Sequence, residues 1–471
     1  MKASIFSLTP AFLVIALFVL SCKKDISTET ADLNISSAAA NALSQKGFVE
    51  NDMVMFWNEK ASQVMDVPVS PPAQARFFAI IQIAVHDALN SIKPKFETYA
   101  LKNVHEKNAD PNAAIASAAY WTIKGMNLPS ANPSFTFPNL SQLDGWYSQS
   151  LLTIPDGESK QLGLELGKQA ADAIIANRST DNFLAANVQI AQPDGVAPGE
   201  YRSTLPFSLP GMPPVKALHQ WGTQMAPFVT ESNSQFRPVA PYSINSIEYL
   251  NDFNEVKSKG ARINHNRSAD EDEIGRFWVE RSSIGWNRFA RNVVSSKKVD
   301  AWKTARLFAL LHTAMADAIS GTFEAKYHYF YWRPETAIRL GDADGNSNTA
   351  GDADWLPSYT EGPNPNPAMN MYTPPIPDYP SAHASFGGAA AEILKLFFSS
   401  DKISINQASP MTPGVVRQYS SIAQAARDNS LSRIYVGYHF RNAALKGEQQ
   451  GKEIAGYVFG NSFREAVEHE D

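Results

Sequence analysis

The chain has almost no cysteine. One residue, Cys22, stands in 471, so a disulfide within the chain is impossible and stability has to come from a buried core. It lacks a strong excess of either charge: 41 Lys and Arg against 47 Asp and Glu give a formal net charge of −6, which gives no footing for a polyanion such as nucleic acid and makes any anion site local. The apolar run near the N-terminus, Ala11 to Leu20, is too short to span a bilayer. Alternating runs of β-branched residues are scarce, which argues against a sheet protein. Present instead are 44% hydrophobic and 11% aromatic residues, enough over this length for two or three ordinary domains with real cores.

One lysine, the apolar run and Ser21-Cys22 form a short export signal. Val19-Leu20-Ser21-Cys22 resembles a bacterial lipobox, which makes Cys22 the lipid-modified first residue of an exported lipoprotein facing the periplasm or the cell surface. Residues 1–21 are expected to be the signal peptide and 22–48 a polar tether.

Beyond the tether, apolar residues recur at three- and four-residue spacing, and the expected fold class is all-α. Helices are expected over Ala73–Ile92, Gly157–Asn177, Asp270–Val294, Ala301–Phe323, Ala384–Phe398 and Val415–Arg427. A Pro- and aromatic-rich stretch from about Gln192 to Tyr242 has seven prolines between Pro193 and Pro227 and cannot be one regular element. ARFFAIIQIAVHDAL (Ala75–Leu89) and ARLFALLHTAMADAI (Ala305–Ile319) agree at seven of fifteen positions without gaps, which reads as an old duplication. The expectation is two helical bundles, 49–245 with the Pro-rich connection and 246–471 with the active site. Asp87 and Asp317 belong to the repeat, whereas His86 and His312 do not align with each other; all four read as structural.

Three short stretches of the second half carry chemistry. In KYHYFYWRP, Lys326 and Arg333 are seven residues apart, so on a helix both cations point the same way; Pro334 discourages helix through Arg333, and His328 faces away. In PSAH, Ser381 is the natural N-cap of a helix whose free N–H groups near Ala382 and His383 favour an anion. In SRIYVGYHF, Arg433 and His439 diverge on a straight helix, so either Gly437 marks a distortion or the guanidinium reaches around. Three cations with a helix N-terminus make a cradle for a tetrahedral oxyanion of more than one negative charge. Two histidines suit two jobs, a bond to the central atom and proton exchange.

Lys326, Arg333 and Pro334, then Pro380, Ser381 and His383, then Ser432, Arg433, Gly437 and His439 resemble the three-part signature of the superfamily that joins vanadium-dependent haloperoxidases to type 2 phosphatidic acid phosphatases and bacterial class A acid phosphatases. GEYRSTLPFSLPG (Gly199–Gly211) and the doubled bundle are similar to bacterial vanadium haloperoxidase-type proteins, so the resemblance spans nearly the whole mature chain. It implies vanadate as cofactor, coordinated by His439 and held by Lys326, Arg333, Ser381, the Ala382 N–H and Arg433. It also implies His383 as the acid–base group, Lys326 as a cation that activates peroxide, and hydrogen peroxide, halide and a small organic acceptor as partners. Ala382 stands where the family has glycine and keeps the N–H. Ala443 stands where the family has an aspartate that hydrogen-bonds the histidine in phosphatases; Asn442 is the nearest polar substitute. Phe323 and Ile376 occupy positions near the cofactor in the family, and Ile376 is neither aromatic nor histidine, which leaves chloride, bromide and iodide open.

The resemblance therefore implies a haloperoxidase first. The alternative is an acid phosphatase with His439 as nucleophile and His383 as general acid. A surface lipoprotein that binds an oxyanion without turnover leaves both histidines idle. The acidic stretch Asp342–Asp354 fails the EF-hand pattern, because its glycine is at the fourth place and Ala353 is at the twelfth; it reads as a surface turn.

Overall fold

Why the chain folds as helices is plain from their ends. Ser70 caps the helix Pro71–Ile92 by accepting from the Ala73 N–H, with prolines at its first two positions where no intrahelical donor is needed. Asp300 caps Ala301–Tyr329 through the Lys303 N–H at 3.1 Å. Ser268 and Glu271 form a reciprocal capping box on Ala269–Phe277. In this computed structural model, residues 50–66, 69–126, 139–359 and 372–466 are described, and all belong to one compact unit that begins at Lys46. The export signal, Cys22 and the tether lie outside the described residues.

The main helices are α1 Glu50–Met65, α2 Pro71–Ile92, α3 Pro111–Met126, α4 Leu140–Leu151, α5 Glu158–Asn177, α6 Ile247–Lys259, α7 Ala269–Phe277, α8 Ser282–Ser296, α9 Ala301–Tyr329, α10 Pro334–Arg339, α11 Ala382–Phe398, α12 Ile422–Tyr435 and α13 Arg441–Asn461. The protein is all-α in class, with two antiparallel two-stranded ladders: β1 Ile190–Ala191 with β2 Lys216–Ala217, and β3 Lys402–Ala408 with β4 Val416–Ser421. No helix among the described residues is long and apolar enough to cross a membrane.

α2, α3 and α5 pack together in the first half, and α9, α11 and α13 in the second. α2 and α9, the helices of the repeat, lie against each other, and α2 is buried over all but its two end residues. Their shared aspartates do the same work. Asp87 accepts from the N–H groups of Tyr99, Ala100 and Leu101, and Asp317 from those of Phe228, Val229 and Thr230. Each carboxylate captures three consecutive donors of a loop.

Two expected helices differ. Asp270–Val294 is two helices, α7 and α8, because the chain breaks at Trp278–Arg281. Val415–Arg427 is a strand and then a helix: Val416–Ser421 pairs with Lys402–Ala408, whose alternate residues Ile403, Ile405 and Gln407 are buried. The Pro-rich stretch braces the start of α10, with Tyr201 donating to the Phe330 carbonyl at 2.7 Å, Trp332 to that of Gly199 at 2.9 Å, and Leu205 to the Glu335 carboxylate at 2.8 Å.

Candidate active site

Lys326 and Arg333 do not share a helix. α9 ends at Tyr329, Phe330 takes a left-handed conformation (φ 50°), and Arg333 is the extended N-cap residue of α10 with Pro334 at the first helical position. The reversal still brings both cations to one peptide segment. Lys326 Nζ donates to the carbonyls of Pro377 (2.6 Å) and Asp378 (2.9 Å), and Arg333 Nε donates to that of Ile376 (2.7 Å). Three consecutive carbonyls ahead of Tyr379-Pro380-Ser381 are thus held by the two cations.

Ser381 caps α11, its Oγ accepting from Ala384 at 3.4 Å. Ala382 and His383 lie in the first turn, where N–H groups have no intrahelical acceptor. The start of α11 sits tightly against α13: a Cβ at Gly447 would lie 2.3 Å from the Ser381 carbonyl oxygen, and one at Gly451 would lie 2.0 Å from that of Ser385. Only glycine permits this approach.

Arg433 and His439 meet the rest through a break in helix. α12 ends at Tyr435 and Gly437 has φ 81°, with Gly260 and Pro357 against it, so the distortion and not a long reach re-aims the chain. Arg433 donates to Ser432 Oγ (3.0 Å) and to the Trp278 carbonyl (3.1 Å). Arg333 Nη1 stands 3.0 Å from His439 Nε2, 3.4 Å from Nδ1, and donates to the Tyr438 carbonyl at 2.8 Å.

His383 Nδ1 is 2.8 Å from Ser282 Oγ, its carbonyl accepts from Asn429 Nδ2 at 3.1 Å, and its Nε2 is buried with no hydrogen-bond partner. Burial first, then Arg433, holds this imidazole well below its ordinary range. Burial and then the Arg333, Lys326 and Arg433 charges do the same to His439, so both rings are neutral. Lys326 is wholly buried, and burial, reinforced by Arg333, lowers its ammonium well below the usual lysine range.

Sequence reasoning missed Asp378. It is fully buried and its Oδ1 lies 2.8 Å from His439 Nδ1 and 3.9 Å from Arg333 Nη1. The contact with the ring is short but out of line, and neither carboxylate oxygen receives an aligned hydrogen bond. Burial pushes Asp378 up to about 7 against the pull of Arg333 and Lys326. Ser282 and Asn429 were missed as well. Asn442, the polar substitute for the absent aspartate, has its N–H on Asp252 Oδ2 at 2.8 Å; among the described hydrogen bonds none joins it to His439.

The other residues singled out lie elsewhere. His86 contacts Asp87 at 3.0 Å and packs on Phe463. His312 pairs with Asn287 (2.9 Å) and stacks on Phe78. His328 is exposed, 3.5 Å from Arg237. Phe323 is buried beside Tyr327, while Ile376 is partly buried against the core. In the acidic stretch, Asp344 accepts from Thr349 and from the Asn346 N–H, as in a closed turn.

Lys326, Arg333 and Arg433 bring three cationic side chains to the site against the one carboxyl of Asp378, and burial depresses Lys326 and Arg333. A bare cation would be repelled here. A tetrahedral oxyanion with more than one negative charge fits the donors, and the neutral His439 ring offers a nitrogen lone pair for its central atom.

Residues 306–466 match the family model of the VCPO second helical-bundle domain. The vanadium chloroperoxidase of Curvularia inaequalis is 24% identical in an alignment covering 82% of this chain and 78% of that protein. Among solved structures, one described as the first bacterial vanadium-dependent iodoperoxidase superposes with a TM-score of 0.67 at 22% identity, covering 89% of this chain and 97% of that one. A holo-type bacterial vanadium-dependent chloroperoxidase gives 0.60 at 15% identity, covering 89% and 96%.

Proposed function

We propose that the chain, whose residues 306–466 match the VCPO second helical-bundle domain, is a vanadium-dependent haloperoxidase that oxidises halide with hydrogen peroxide to a hypohalous acid equivalent, which passes to a small organic acceptor. The observation that carries this reading is the meeting of three cations, a helix start and two neutral imidazoles, one with a buried unpartnered nitrogen. Lys326, Arg333, Ser381, the Ala382 N–H and Arg433 would hold vanadate through its oxygens, and His439 would bind its metal through Nε2. Bound vanadate would supply a Lewis acid of fixed oxidation state that polarises hydrogen peroxide for attack by halide.

The residues do the rest. Arg333, nearest to His439 Nε2, has only donors to offer, so it favours the lone pair on that nitrogen. His383 would exchange the proton of incoming peroxide through Nε2, with Ser282 holding the ring at Nδ1. Lys326 is fixed by two carbonyls and would add its amino group to the donors that hold the anion. Cys22 is the proposed lipid attachment that holds the exported enzyme at a membrane surface.

The test is reconstitution of the purified protein with orthovanadate, followed by parallel assays of peroxide with each halide and of a phosphate monoester. Halide oxidation that needs both vanadate and peroxide is the expected result. Monoester hydrolysis by the vanadate-free protein, without halide oxidation after loading, would establish the phosphatase alternative.

A further inference from the structure

We propose that Asp378 is the positioning residue for His439, supplying from the loop ahead of α11 the carboxylate that the sequence lacks at Ala443; the inference rests on the reading of His439 as the metal-binding imidazole. Three observations carry it. The backbone of Asp378 is pinned, its N–H donating to the Tyr331 carbonyl at 2.8 Å and its own carbonyl accepting from Lys326 at 2.9 Å. Its carboxylate lies 2.8 Å from His439 Nδ1, with the Phe440 N–H also acting on it. Finally, Ala443 borders the same small cavity as Asp378, together with Asp252 and Asn442. Ala443 thus presents only a methyl to a space that Asp378 lines with a carboxylate.

The two ring nitrogens have neighbours of opposite kind. Nε2 is nearer to a guanidinium, which can only donate, and Nδ1 to a carboxylate, which in its ionised form can only accept. Both neighbours favour the tautomer with the proton on Nδ1 and the lone pair on Nε2. That is the tautomer a metal-binding histidine needs, and a carboxylate behind such a ring fixes its orientation and raises its basicity. Lys326 thereby acquires a second use, because it holds the peptide that carries Asp378.

The experiment reads the tautomer directly, by nitrogen-15 NMR of histidine-labelled, vanadate-free protein with His439 assigned by substitution. Wild type is expected to show Nδ1–H. Asp378→Leu is expected to lose that preference and to bind orthovanadate roughly 10- to 100-fold more weakly, the usual cost of removing a ligand's supporting group. Asp378→Asn, which keeps an acceptor oxygen and the side chain's shape, is expected to hold the tautomer with a smaller loss of affinity. Adding Ala443→Asp to Asp378→Leu is expected to recover both, which excludes misfolding as the cause. Nε2–H in wild type, or an unchanged tautomer and affinity in Asp378→Leu, would overturn the assignment. Wild type that shows Nδ1–H but binds no vanadate would leave Asp378 in place and sink the haloperoxidase reading instead.

Discussion

His312 and His383 are both held neutral by burial, yet one is spent on packing and the other has a nitrogen to offer. His312 is completely buried in α9, and burial followed by the Arg291 charge lowers it to about 3. A histidine depressed in the folded state contributes stability that is present above its unfolded value near 6.5 and is lost as pH falls from there toward 3. Replacing it by glutamine, which can still donate to Asn287, removes the uptake of one proton on unfolding. Urea unfolding between pH 6 and 4 should then show a fall in stability shallower by up to about 1.4 kcal/mol per pH unit; an unchanged slope would mean His312 is not neutral in the folded protein. At this scale the site was largely legible, because Lys326, Arg333, Ser381, His383, Arg433 and His439 stand in short fixed-spacing pieces. Asp378 was not, although it stands two residues from Pro380, since its partner lies across the fold and only the close approach of two backbones reveals it. Ser282 was hidden by a helix expected to run unbroken through it.

Elements position these residues by how they end. α9 was readable from its apolar period as far as Phe323, but its true end at Tyr329 and the left-handed Phe330 follow from no pattern in the sequence. The β3–β4 hairpin was missed because β4 buries chiefly Tyr419 and so shows no apolar alternation. The packing of α11 on α13 was equally silent, resting as it does on glycines whose neighbours are distant in sequence. Gly447→Ala should drive a methyl into the Ser381 backbone. The expected cost is about 1–3 kcal/mol, the range for overpacking, together with weaker binding of orthovanadate, because the start of α11 has to move. Thermal unfolding and a vanadate titration check both effects. Lost stability with unchanged affinity would show that the helix start does not contact the anion.

On the scale of the whole molecule, the two related helices α2 and α9 lie in contact, and their aspartates each gather three donors of a loop. The Asp317 loop lies in the Pro-rich stretch, whose earlier part braces the turn after Lys326. The first half of the chain thus braces the turn that follows Lys326, whereas the charges of the site all come from the second. Within that second half Arg333 and His439 are 106 residues apart, and nothing local holds them together once the fold opens. The anion the cradle accepts is therefore a ligand of the native state alone, and by mass action it should shift the folding equilibrium. At about 100 times its dissociation constant, orthovanadate should stabilise the protein by roughly 2.7 kcal/mol. Unfolding temperature should climb with its concentration in wild type and stay level in Arg333→Ala. The anion would then serve the protein twice, as reagent and as a clasp that reports when folding is complete.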